Sequence, residues 1–158
     1  MCIDMKTKFL PTLALFSLLA FSNASAKSDL QFSNAWIRAT PPNAQVAGGF
    51  VEINNQGNDD RLLSISSKLS GKVEIHEMQM QGDMMQMRQL NDGLQIPGNE
   101  ITALKPGGMH LMFIKPKQAL TEGQKITATL LFAKAGKREV VFTVLKSAPV
   151  ASASEHKH

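Results

Sequence analysis

The sequence predicts an all-β domain, an antiparallel sandwich or barrel. Three observations carry this expectation. Apolar and polar residues alternate with period two through most of residues 30–145, as they do in strands with one buried face. Clusters of Gly, Pro and Asn interrupt the alternation at short intervals, as turns between strands do. No window combines a helical apolar period with capping residues, and short strands without helices suit a sandwich or barrel.

Residues 1–26, MCIDMKTKFLPTLALFSLLAFSNASA, precede this pattern. Lys6 and Lys8 form a basic start, residues 9–21 are mostly apolar, and Ala24-Ser25-Ala26 is a small-x-small cleavage site. This is the layout of a secretory signal peptide, and the apolar run is short for a membrane span. Cleavage is expected after Ala26, into the periplasm, leaving no membrane attachment. No cysteine follows the apolar run, so no lipid anchor is expected.

The first alternating run is 30–38, followed by Pro41-Pro42-Asn43. Strands are then expected at 49–54 and 61–66, separated by Asn54-Asn55-Gln56-Gly57-Asn58. The paired Asp59-Asp60 that follows this Asn/Gly-rich turn reads as solvated. Runs at 72–80 and 84–90 flank Gly82-Asp83, a good two-residue hairpin loop of type II′ with Gly first. Further strands are expected at 100–104, 110–115, 125–132 and 138–145, with turns at Pro97-Gly98-Asn99, Pro106-Gly107-Gly108 and Gly136-Lys137. Residues 27–146 thus form one domain, and 147–158 an Ala/Ser/His tail expected to be disordered.

Composition excludes several classes. The single cysteine, Cys2, leaves with the leader, so the exported chain has no disulfide, thiolate ligand or Cys nucleophile, and no blue-copper site, which requires a Cys ligand. The net charge is +4, with basic residues scattered rather than clustered, one Trp and no Tyr. That argues against nucleic-acid binding. There is no Gly-x-Ser-x-Gly elbow, phosphate loop or His-Glu-x-x-His helix, so an enzyme is not expected.

One stretch, HEMQMQGDMMQM (residues 76–87), is unusual. Apart from Met1 and Met5, all Met residues lie between Met78 and Met112, and here they alternate with Gln and Glu. If Gly82-Asp83 is a two-residue loop, Met80 pairs with Met85 and Met78 with Met87. His76, Met78, Met80, Met85 and Met87 then share one face, whereas a three-residue loop would flip Met85 and Met87 away. Further on, His110 and Met112 share a strand face while Leu111 and Phe113 point to the core. Thioether and imidazole without thiolate or carboxylate favour Cu(I) over zinc or calcium. Two plainer readings remain open: Met as pliant core filler, and a Met-rich surface that scavenges oxidants.

His76, ten residues, Met87, twenty-two residues, then His110-x-Met112 resembles the signature His-x10-Met-x21-His-x-Met of the periplasmic PCuAC-type copper chaperones. AWIRATPP (35–42), Gly48-Gly49-Phe50 and the central block through KPGGMHLMFI extend the resemblance across roughly residues 30–144. The resemblance implies a cupredoxin-like Greek-key β-sandwich that binds Cu(I) through His76, Met87, His110 and Met112. It also implies delivery toward the CuA centre of cytochrome c oxidase, to its CuA domain or to another copper chaperone. The gap between Met87 and His110 is one residue longer than the pattern. Within Asn91-Asp92-Gly93 a turn absorbs it; within a strand it would displace Met87 and bring Met85 or Met78 into its place. In the tail, His156 and His158 could hold Cu(II) weakly, as longer tails do in some family members.

The expected function is therefore a monomeric periplasmic copper carrier, with spare thioethers at Met78, Met80, Met84 and Met85 beside the site. The alternatives are copper sequestration for tolerance, with no dedicated acceptor, and a metal-free β-sandwich interaction module.

Overall fold

A computed structural model describes residues 29–149. The expected leader (1–26) and tail histidines His156 and His158 lie outside these residues. Ten strands form in order: β1 (Leu30–Arg38), β2 (Val46–Asn55), β3 (Asp60–Ser67), β4 (Ser70–Gln81), β5 (Met84–Gln89), β6 (Leu94–Ile96), β7 (Glu100–Leu104), β8 (His110–Ile114), β9 (Lys125–Phe132) and β10 (Gly136–Leu145). No helix occurs among the described residues.

The strands β4-β8-β2-β1-β10-β9-β3 follow one another in the sheet, and a further β3–β4 pairing closes them into a ring. Only β1 and β10 run parallel; every other pairing is antiparallel. Neighbours such as β4–β8 and β3–β9 are distant in sequence, the long crossings that make a Greek key. Closure removes the free edges that an open sheet would present. Three strands lie off the ring: β5 pairs only with β4, β6 with β3, and β7 with β2.

Alternation sorts side chains between the inside and outside of the ring. Ile37, Ile53, Leu62, Leu111, Phe113, Leu130, Phe132 and Phe142 are almost completely buried. Phe113 and Phe142 meet edge to face at 6.3 Å between ring centres, the geometry that ring quadrupoles favour. The core also explains Gly49. A Cβ at that position would lie 2.6 Å from Cε2 of Phe113, so only glycine admits the ring.

Two expectations need correction. The three-residue β6 was not anticipated, although its exposed Gln95 alternates with buried Leu94 and Ile96; it is shorter than the four to eight residues on which alternation can be read. Asp60 is not solvated. It is 6% exposed, and its carboxylate accepts backbone N–H bonds from Arg61 (2.7 Å), Lys134 (2.9 Å) and Ala135 (2.8 Å). It thereby ties the start of β3 to the β9–β10 turn. Burial pushes its pKa up, but the three N–H donors and the Lys134 charge outweigh this and hold the carboxyl below its ordinary value.

Candidate metal centre

The candidate residues gather where β4 leaves the ring. From Lys72 to His76, β4 pairs with β8, ending at the direct pair His76↔His110. Beyond His76 it pairs only with β5, and the two strands continue as a ribbon. Register along the ribbon is unbroken: Met78↔Met87, Met80↔Met85 and Gln81↔Met84. The loop is thus two residues, with Gly82 at φ +62° and Asp83 not in the left-handed region, as a type II′ turn requires. Asn91-Asp92-Gly93 forms the turn after β5, closed by a Gly93 N–H to Leu90 carbonyl bond of 3.3 Å. The pairing of Met87 with Met78 is not displaced.

Directly opposed residues project to the same face. His76, Met78 and Met80 of β4, Met85 and Met87 of β5, and His110 and Met112 of β8 therefore share one face. His76 and His110 rings lie 5.9 Å apart at 33°. Met112 is paired with Glu74, one step along that face. Met87 is diagonal to His76, because His76 pairs with Gln89, and it is 50% exposed. Met84 falls on the opposite face, so it is not one of the thioethers beside the histidines.

The hydrogen bonds fix which imidazole nitrogens are free. His110 Nδ1 lies 3.0 Å from the Gly108 carbonyl oxygen. A carbonyl can only accept, so Nδ1 carries the proton and Nε2 keeps a lone pair. His76 Nε2 lies 2.8 Å from Glu74 Oε2, which places its proton on Nε2. Its Nδ1 is then a lone-pair acceptor, and that atom is buried with no hydrogen-bond partner. A buried polar atom without a partner is costly; a bound cation would satisfy it.

Glu74 also pairs with Lys72. Those two hydrogen bonds, that from Lys72 first and that from His76 second, hold its carboxyl below the ordinary glutamate value. A carboxylate thus stands within this face, correcting the expectation of a site without one. It holds a ring rather than facing the open nitrogens. Its position two residues before His76 on a strand was available from period two alone. The place of the Phe50 ring beside this face was not anticipated either. Gly48 is the partner of Met112 across β2, and a Cβ there would lie 3.3 Å from Phe50 Cζ. The Phe50 ring, tilted at 31° against Trp36 with ring centres 4.4 Å apart, therefore covers the strand beside Met112. Among the described residues no group of three or more His, Cys, Asp or Glu converges as a metal site; the thioethers of Met78, Met87 and Met112 stand on the same face as the two imidazoles.

A β-ring with a His/Met face at the root of an emergent ribbon has the fold of the PCuAC domains. It superimposes on the apo PCuAC domain from PmoF1 with a TM-score of 0.62 and 24% identity, covering 77% of this chain and 95% of that one. The copper-bound PCuAC domain from PmoF2 gives 0.62 and 22%, covering 77% and 94%. The Cu(I) form of DR1885 from Deinococcus radiodurans gives 0.59 and 22%, covering 80% and 83%.

The chain belongs to the LpqE-like family, described as lipoprotein LpqE-like, whose model matches residues 30–144. Among relatives, Lxx21020 of Leifsonia xyli subsp. xyli is 29% identical over 104 residues, 65% of this chain. RP573 of Rickettsia prowazekii is 29% identical over 114 residues, 68% of this chain. The chain spans 61% of the length of each of these two relatives.

Proposed function

We propose that the protein is an exported copper carrier that binds Cu(I) through His76, His110, Met112 and Met87 and passes it on by ligand exchange. The observation that carries this reading is the histidine pair. Two facing imidazoles each have one nitrogen occupied by a protein acceptor and the other, by elimination, holding a free lone pair. With metal–nitrogen bonds of about 2 Å, an ion between the free nitrogens would lie about 3 Å from each ring centre, compatible with the 5.9 Å separation.

Neutral imidazoles and thioethers carry no charge to offset, which suits a monovalent soft ion. Glu74 accepts the His76 Nε2 hydrogen bond and so orients the ring, as carboxylates behind metal-bound histidines do. The half-exposed Met87 leaves one side open for an incoming ligand, which a carrier needs. The family's lipoprotein description and the copper-bound state of two structures with this fold support export and copper as cargo. The acceptor in this reading is a CuA domain of cytochrome c oxidase or another copper chaperone, and the carrier works as a monomer without catalysis.

The test is an anaerobic Cu(I) titration of residues 27–158 against a coloured chelator, with His110→Ala and Met112→Leu in parallel. A tight equivalent lost in both variants is expected. A tight equivalent retained in both would refute the assignment. Transfer to an apo CuA domain, absent if the protein only stores copper, then separates carrier from store.

A further inference from the structure

The β4–β5 ribbon beyond His76 is sorted by face in a way that packing does not require. Every residue from Met84 to Arg88 is exposed, so neither face of this arm is sunk in a core. One face nevertheless holds the opposed pairs Met78/Met87 and Met80/Met85, while the other holds Glu77/Arg88, Gln79/Gln86 and Gln81/Met84. Glu77 and Arg88 are ion-paired. Met80, Met85 and Met87 are 60%, 51% and 50% exposed, so they give the fold little burial. The His76 face of the ribbon thus offers four neutral sulfurs and no charged side chain between Met78 and Met87.

We propose that Met78, Met80 and Met85 form a second, all-thioether site for a monovalent soft cation, on the outer ribbon next to the His/Met centre. Opposed side chains start about 5 Å apart and diagonal ones about 7 Å, and Met has three rotatable bonds, so three sulfurs can meet at one ion. Thioether donors select Cu(I)-type ions over zinc, calcium or magnesium. Met87 belongs to the inner set and lies directly opposite Met78, so the two sites adjoin. Copper can enter or leave through the outer site by exchanging one thioether at a time. Three exposed, flexible donors give up rotamer freedom on binding, so the outer site is the weaker. The inference shares with the proposed function the premise that copper is the cargo, but not its inner ligand set.

Residues 27–158 would be titrated anaerobically with Ag(I), a redox-inert probe, while Met methyl NMR resonances and bound stoichiometry are followed. Two equivalents are expected, the second moving the methyl signals of Met80 and Met85. The double variant Met80→Leu/Met85→Leu should lose only the second equivalent, with thermal melting confirming an intact fold. His110→Ala should lose only the first. One equivalent in the unaltered chain would overturn the proposal. So would a second equivalent that survives in the double variant, for instance one that His156→Ala/His158→Ala removes. If the double variant behaves as expected but His110→Ala changes nothing, the inner ligand set fails and the outer site stands.

Discussion

Replacing Asp60 by Asn removes one negative charge and one acceptor from a site built for a carboxylate. In the protein, Oδ1 accepts from Arg61 and Lys134 and Oδ2 accepts from Ala135. Asn can keep the first two bonds, though to a neutral oxygen, but turns its amide NH2 toward the Ala135 N–H. Bonds to a charged group contribute about 1.5–3 kcal/mol each. Losing one and weakening two predicts a loss of about 2–4 kcal/mol at neutral pH, large against a typical total of about 5–15 kcal/mol. The sign with pH follows from the lowered carboxyl. Its stabilisation is complete above the ordinary carboxylate value near 3.8 and is lost as pH falls through the lower folded value. Urea unfolding of the parent and Asp60→Asn should therefore show a wide gap in midpoint at pH 7 that narrows toward pH 3. A gap below about 0.5 kcal/mol at pH 7, within the range of ordinary surface changes, or one that widens in acid, would refute the reasoning.

Three further outcomes follow from the structure. Gly49→Ala should destabilise the domain by about 1–3 kcal/mol, the usual cost of overpacking, because its Cβ meets the Phe113 ring; thermal melting checks it. Glu74→Ala should weaken Cu(I) binding about 10–100-fold, the usual effect of removing a partner behind a metal-bound imidazole, as read by chelator competition. Inserting one residue after Asp83 should turn Met85 and Met87 to the opposite face and weaken Cu(I) binding as much as Met87→Leu does; an insertion without effect would remove Met87 from the site.

Much of the fold was legible because alternation is strong where one face is fully buried. The bounds of β1, β7 and β9 coincide with the expected runs at 30–38, 100–104 and 125–132. The start of β2 at Val46, three residues early, was hidden by Gly48-Gly49, since glycine in a strand carries no facing signal. The hairpin register came from Gly82-Asp83 alone, because type II′ chemistry fixes loop length and loop length fixes which Met residues face His76. What sequence could not supply was long-range neighbourhood. His76 and His110 pair across strands that are not consecutive, and only the family resemblance put the two in one ligand set. Asp60 was misread for the same reason: two of its three donors come from a turn more than seventy residues away. Glu74, two residues from His76, was a missed opportunity rather than a hidden feature.

The central claim is a mixed imidazole and thioether ligand set for one copper ion. Copper K-edge X-ray absorption of residues 27–158 loaded anaerobically with one equivalent of Cu(I) tests it most directly. Two nitrogen and two sulfur scatterers are expected, with the nitrogen contribution falling in His110→Ala and the sulfur contribution falling in Met112→Leu. A first shell of sulfur alone, or of nitrogen and oxygen alone, would contradict it.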